Sequence, residues 1–300
     1  MNNSGILRRQ LTPIEPFVKQ VEGAAALDEP AKAVGKTARD LLSVQPLKDV
    51  LSGTWLGHAV HPMLTDVVIG SFVSATMLDL LGGAGDGQAQ RRLIRLGIAA
   101  YAPTALTGTN DWADTEVTND AVRRAGFVHA GSNLLALSLY AVSLRARARG
   151  ANRKGAIAGA LGAGVLMAGG YLGGHLSLTK GVGADQTVFD PGPSEWTVAA
   201  DASQLPEGRP VRVVVDDAPV LLLRRGDETF AIHDRCSHRG CSLSDGEIEG
   251  DEIVCSCHGS RFDVRDGALR LGPATSPQPA FQVRVVDERV EVRRISLPVS

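Results

Sequence analysis

The chain has 300 residues, enough for two domains. Its formal net charge of −2, with no long basic tract, gives no support to nucleic-acid binding. Its 4 cysteines all fall between positions 236 and 257, which excludes a disulfide-scaffold fold and gathers the thiol chemistry in one place.

Residues 1–57 mix basic and acidic side chains and lack the early apolar core of a signal peptide. They read as a partly ordered tail with one or two short surface helices, one of them within 34–51, and no function follows from them. Residues 58–178 change character: they are rich in Ala, Gly and Leu and carry long apolar runs. Four candidate spans lie at 59–80, 93–108, 126–144 and 155–178. The fourth is the clearest, being uncharged and Gly-rich, as close helix packing in lipid allows. The second is short and contains Arg95. A soluble helical bundle is the alternative, but its helices should show polar faces that these segments largely lack.

Charges on the connections suggest an orientation. The first loop carries Arg91 and Arg92, with Arg95 beyond, against Asp86. The third carries Arg145, Arg147, Arg149, Arg153 and Lys154 with no acid, whereas the second is net acidic through Asp111, Asp114, Glu116 and Asp120. Loops one and three would then be cytoplasmic. The expected location is a bacterial inner membrane, with both termini and the C-terminal domain on the periplasmic or outer side.

In such an up-down bundle, His58 and His61, His129, and His175 fall at helix ends on one side. Opposed imidazoles there could hold a haem b or a metal ion, and Asp66 is an ionisable group within a span. The alternative is that these histidines cap helix ends or hydrogen-bond locally, for example to Asp66 or Asp111. The stretch resembles the DUF2231 family of small predicted membrane domains, through His58-Ala59-Val60-His61-Pro62 and Thr107-Gly108-Thr109-Asn110-Asp111-Trp112. The resemblance covers about residues 50–180 and implies a four-helix membrane unit.

After a linker at 179–195, residues 196–298 read as short strands punctuated by Gly, Pro and Asp. Candidate strands are 211–215, 220–224, 229–233, 253–255, 261–264, 282–286 and 290–292, which make a compact antiparallel β domain. Within it, Cys236-Ser237-His238-Arg239-Gly240-Cys241 and Cys255-Ser256-Cys257-His258-Gly259-Ser260 present a Cys-x-His and a Cys-x-x-His. A [2Fe–2S] centre with two thiolates on one iron and two imidazoles on the other needs that inventory: Cys236, His238, Cys255 and His258. Tetrahedral zinc takes the same donor set, but in a common finger the ligand order differs and a helix is present.

The segment from Trp196 to about Val292 resembles a Rieske [2Fe–2S] domain, matching both cluster-binding loops. The resemblance implies stacked antiparallel sheets with a small cluster-binding subdomain. It implies that Gly272-Pro273-Ala274 forms the proline loop over the cluster, and that Ser260 donates a hydroxyl to a cluster sulfide. In cytochrome bc-type relatives, cysteines at the positions of Cys241 and Cys257 form a disulfide between the loops. Two free buried thiols are the alternative. The bc-type pattern has a tyrosine where this chain has Phe262, so an intermediate reduction potential is expected.

The fold expected is therefore an all-α transmembrane bundle followed by an all-β Rieske domain. The expected function is membrane-anchored one-electron transfer at an exposed histidine edge, linked to a quinol or cytochrome chain. Partners would be donor and acceptor proteins or quinol, and membrane lipid. A membrane oxidoreductase with haem or quinone on the four membrane histidines is one alternative, and a redox-sensing or structural module another. A Rieske oxygenase would also need a mononuclear iron site, and His233 is the only histidine beyond position 175 outside the two motifs.

Overall fold

The computed structural model describes residues 14–82 and 87–295. Asp86, the start of the N-terminal tail and the last residues of the expected C-terminal domain lie outside them.

Among its described residues the tail contains three helices: α1 (Glu15–Gly23), α2 (Asp28–Leu41) and α3 (Gln45–Ser52). The single helix expected within 34–51 is broken between α2 and α3, where Pro46 at the start of α3 fits a first turn but not a helix interior. Four long helices follow: α4 (Val60–Leu81), α5 (Gly87–Ala113), α6 (Asp120–Ala148) and α7 (Asn152–Gly174). The side chain of Asn119 caps α6 by accepting the N–H of Val122 at 3.1 Å. A π-helical turn, His175–Thr179, extends α7.

Among the described residues, three helical stretches are long and apolar enough to cross a membrane: Val60–Leu81, Asp120–Ala148 and Asn152–Thr179, with mean hydropathies of 1.6, 1.4 and 1.5 over an 18-residue window of each. The second of the four expected spans lies inside α5, a longer helix in which Arg91, Arg92 and Arg95 dilute the apolar run.

The chain divides into two compact units, and α4 and α5 contribute residues to both. The first unit contains Val68–Tyr101 and Thr115–Lys180. Its core gathers Val68, Phe72, Ala75, Ile94, Ala136, Tyr140 and Leu166. Phe72 and Tyr140 stack with ring centroids 4.0 Å apart. Gly155, Gly159, Gly162 and Gly169 lie on the buried face of α7. A Cβ on Gly162 would sit 3.0 Å from the Tyr140 ring, so glycine is what lets α6 and α7 approach. Arg147, expected among the third-loop cations, lies inside α6, is only 2% exposed and pairs with Asp79 of α4. That cation is neutralised locally and does not add to the loop charge.

The second unit contains Ala38–Val67, Ala102–Asp114 and Gly181–Ser300. Its β strands are β1 (Thr197–Asp201), β2 (Pro210–Val215), β3 (Ala218–Arg225), β4 (Glu228–His233), β5 (Glu247–Glu249), β6 (Glu252–Val254), β7 (Arg261–Asp263), β8 (Leu269–Leu271), β9 (Ala280–Val286) and β10 (Arg289–Arg294). They form a six-stranded sheet in the order β1-β10-β9-β4-β3-β2 and a four-stranded sheet β5-β6-β7-β8, both antiparallel. Strand β3 shows why two cores result. Its side chains alternate, so Val220 and Leu222 join a core with Val290 and Val292, while Leu221 and Leu223 join another with Ile253, Phe262 and Val264. Cys236 and Cys255 belong to that second core, which links the large sheet to the small one.

Candidate metal centre

Two loops carry the motif residues: β4–β5 holds Cys236 and His238, and β6–β7 holds Cys255 and His258. They repeat one backbone pattern. In the first, the Cys236 N–H donates to the Cys241 carbonyl and the Gly240 N–H to the Cys236 carbonyl, both at 2.8 Å. In the second, the Cys255 N–H donates to the Ser260 carbonyl at 2.8 Å and the Gly259 N–H to the Cys255 carbonyl at 3.0 Å. Closing each turn takes a left-handed residue, and Gly240 (φ 77°) and Gly259 (φ 79°) supply it without a Cβ penalty.

The turns bring the four candidate ligands together. Cys236 and Cys255 are unbridged and buried. The rings of His238 and His258 stand edge to face with centroids 5.0 Å apart. A hydrogen bond from the Cys236 thiol favours the Cys255 thiolate and brings its pKa down to about 7, while the same pairing pushes the Cys236 thiol up. Burial pushes His238 well below its ordinary range and lowers His258 too, which favours the neutral, ligating form of both rings. Cys241 and Cys257 form a disulfide between the loops. Their sulfurs lie within 4.8 Å of that of Cys255, so the bridge sits against a candidate ligand.

The ring nitrogens decide how the site can work. The His258 Nε2–H donates to the backbone carbonyl of Asp114 at 3.0 Å, leaving Nδ1 with its lone pair free. His238 turns Nε2 toward the Asp114 carboxylate, with Oδ2 at 3.6 Å, and its Nδ1 is buried without a hydrogen-bond partner. A buried, orphaned acceptor calls for a ligand. Two unbridged thiols and two Nδ1 lone pairs fit a [2Fe–2S] group. The histidine edge expected to be open is largely covered: the His238 side chain is 8% exposed. A cleft lined by Ala59, Asp111, Asp185, Arg239, Pro273 and Ser276 still reaches it.

Polar side chains brace the loops. Gln278 donates to the carbonyls of His233 and Arg235 at 2.8 and 2.7 Å and accepts the Ser237 N–H at 2.8 Å. The buried Asp234 carboxylate accepts the Ser244 N–H at 2.8 Å and the Ser242 hydroxyl at 2.6 Å. His233 is structural, since its Nε2–H donates to the Asp190 carbonyl and its Nδ1 accepts the Arg235 N–H. Ser260 accepts the Ala274 N–H at 3.0 Å, which ties the second loop to the Pro273 loop and leaves its own hydroxyl proton available. Phe262 is fully buried in the same core as Cys236 and Cys255.

The N-terminal segment, which carried no functional expectation, proves to be part of the site's frame. Gln45 donates to the Gly272 carbonyl at 2.8 Å, and Thr54 donates to the Ala274 carbonyl at 3.0 Å. A Cβ on Gly272 would come within 2.6 Å of the Asp49 carboxylate. Lys48 pairs with Asp114 at 2.6 Å. Arg239 donates to the Asp111 carbonyl at 3.1 Å, and burial pushes the Asp111 carboxyl up to about 6. The sequence marks Asp111 as part of a motif, as a loop charge and as a partner for the membrane histidines, and Asp114 only as a loop charge.

The four membrane-side histidines follow the local hydrogen-bonding alternative. His61 Nδ1–H donates to the Thr104 carbonyl at 3.0 Å, and its ring lies 2.5 Å from where a Cβ on Gly108 would be. His129 Nδ1–H donates to the Gly169 carbonyl at 2.7 Å, with its ring against Gly173. His175 faces Glu22 at 2.8 Å, and exposed His58 faces the Ala59 carbonyl at 3.1 Å. The imidazoles of His61 and His129, packed against glycines, fill helix contacts, and nothing in these surroundings supports haem b. Asp66 is exposed on α4.

Residues 195–285 match the family described as Rieske [2Fe-2S] domain. The anthranilate 1,2-dioxygenase ferredoxin subunit of Burkholderia cepacia is 36% identical over 99 residues, a match that covers 92% of that protein and 33% of this chain. The chain belongs to the Rieske [2Fe-2S] family. A second Rieske relative, ferredoxin CarAc of Metapseudomonas resinovorans, is 38% identical over 98 residues, covering 92% of that protein and 32% of this chain. Among solved structures, the ferredoxin of carbazole 1,9a-dioxygenase from Nocardioides aromaticivorans IC177 is 35% identical, with a TM-score of 0.32 and coverage of 33% of this chain and 98% of that one. Residues 57–186 match a family described as a predicted membrane protein, DUF2231. The Rieske domain is thus joined to a membrane-helical one, and its chemistry is [2Fe–2S] electron transfer.

Proposed function

We propose that this Rieske protein is a membrane-tethered one-electron carrier, in which Cys236 and Cys255 serve one iron and His238 and His258, through Nδ1, serve the other. The observation that carries the reading is the buried, unpartnered Nδ1 of His238 beside two unbridged thiols. When bound, the [2Fe–2S] group supplies reversible one-electron chemistry at a potential raised by its two neutral ligands. The chain's own part is to hold four donors in place, to keep water from the thiolates with Phe262 and Leu243, and to tie the loops through Cys241 and Cys257.

Several matched relatives are ferredoxin components of dioxygenase systems, so the expected partners are a reductase-type donor and a protein acceptor. A protein partner also suits a histidine edge whose Nε2 atoms face Asp114, and to that extent a quinol or cytochrome link is the less favoured form of the proposal. Residues 58–178 act as the anchor, with 196–298 as the carrier. The periplasmic orientation is supported by the disulfide, which persists in oxidising compartments, and by the basic residues Arg91, Arg92, Arg149, Arg153 and Lys154. Protease added to spheroplasts should then cleave the Rieske domain, and full protection would reverse the orientation.

The deciding experiment is low-temperature EPR with reduced-minus-oxidised absorbance on the full-length protein in detergent. A Rieske-type signal on reduction is expected. Bound zinc with no EPR signal would overturn the ligand assignment, and haem bands would overturn the hydrogen-bonding role of His61, His129 and His175.

A further inference from the structure

The residues between α5 and α6 do something at the metal centre that neither family match describes. Asp114 is 2% exposed and meets both candidate iron-ligating histidines, through its carbonyl at His258 Nε2 and its carboxylate at His238 Nε2. Its other carboxylate oxygen lies 2.6 Å from Lys48 Nζ, and Lys48 itself is only 14% exposed. Two opposite charges are therefore held at the outer side of the histidines, in a setting that screens them little. Arg239 stands beside them, donating to the backbone carbonyl of Asp111.

We propose that Asp114 and Lys48 form a built-in cover over the histidine edge that sets the reduction potential of the Rieske centre and closes that edge to small-molecule reductants. The proposal rests on the ligand assignment above. Asp114 is a positioning residue: it touches the outer nitrogens and acts on the metal site through them. With two thiolates and two neutral imidazoles as ligands, reduction adds one negative charge to the centre. The Asp114 carboxylate opposes that added charge and lowers the potential, whereas the Lys48 ammonium favours it and raises the potential. A hydrogen bond from His258 Nε2 to the Asp114 carbonyl makes the ligand ring more electron-rich, which again favours the oxidised state.

The test is an EPR-monitored redox titration of the full chain in detergent. Asp114→Asn should shift the midpoint potential upward, and Lys48→Met should shift it downward, with iron content unchanged in both. Equal potentials in all three proteins, or shifts of the same sign, would overturn the proposal. If Asp114→Asn fails to assemble the centre, Lys48→Met alone still decides the sign. A third measurement needs no variant: brief transfer of the wild-type protein to D2O, followed by pulsed ENDOR. The covered His258 Nε2 proton should persist, and its immediate replacement would refute the cover. A wild-type protein with no Rieske signal would instead defeat the ligand assignment, so the two failures are distinct.

Discussion

The loop around Cys236 and the loop around Cys255 share a backbone and differ in what their matching side chains do. Both close with the same two hydrogen bonds and a left-handed glycine, so the first residue of each presents a thiol to the interior. The sixth residue is Cys241 in one and Ser260 in the other. Cys241 reaches across to Cys257, while Ser260 takes the Ala274 N–H and so holds the proline loop. The outer nitrogens differ as well, His258 bonding a carbonyl of Asp114 and His238 facing its carboxylate. The lesson is a division of labour: the backbone repeat places the candidate ligands, and the side chains at equivalent positions tie the loops down.

The strongest way to break the comparison is to remove one histidine at a time. His238→Ala and His258→Ala should each abolish the Rieske EPR signal while the membrane-helical part still inserts. If one variant kept a normal spectrum, the loops would not be equivalent as ligand carriers.

The next effect separates the loops. Replacing Cys241 and Cys257 together by serine removes the tether but no candidate ligand. A disulfide closing a loop of roughly 15 residues contributes about 3 kcal/mol. Thermal unfolding of the Rieske domain should therefore fall clearly, and the bound iron should be lost faster to a chelator. An unchanged iron lifetime would mean that Gln278 and Asp234 hold the first loop without the bridge.

How much of this could be read beforehand differs by region. The ligand types and their spacing are local in sequence, and so are the turn glycines. Strands 211–215, 220–224 and 229–233 were legible because β-branched and apolar runs there are bounded by turn residues. Strands β1, β5 and β8 were not expected. Thr197–Asp201 has a plain Ala-rich pattern, while Glu247–Glu249 and Leu269–Leu271 set charged residues among single aliphatic ones, without the Ile-Val pair or the aromatic that mark the equally short β6 and β7. The cover over the histidines was illegible for another reason. Lys48 and Asp114 are 66 positions apart, and Asp114 is 144 from His258. No local pattern marks a single aspartate as the one that folding carries to the site.

A smaller effect concerns the carboxylates that flank the loops. Asp263, just beyond the second loop, is held well below the usual carboxylate range, first by its hydrogen bond from Arg265 and then by that from Arg270. A carboxylate whose folded pKa is depressed contributes stability above its unfolded value of about 4, and that contribution is lost as pH falls toward the folded value. Arg265→Gln should raise the folded pKa toward the unfolded one. Stability of the Rieske domain at neutral pH should then fall, and the gap from wild type should close as pH drops below about 4. An unchanged stability at neutral pH would assign the support of Asp263 to Arg270 alone.

The smallest effect is also the sharpest test of the second loop. Phe262 sits two residues beyond Ser260, fully buried in the core that contains both free cysteines. Phe262→Tyr adds one hydroxyl to that core. If the ring edge faces a ligand thiolate, the hydroxyl donates to it, stabilises the added electron and raises the midpoint potential. If it faces Val264 or Ile253 instead, the hydroxyl is buried without a partner, which costs stability and leaves the potential where it was. A redox titration and a thermal melt on the same sample separate the two. A higher potential with unchanged stability means that the second loop tunes the site as well as building it; an unchanged potential with a lower melting temperature leaves tuning to the outer side of the histidines.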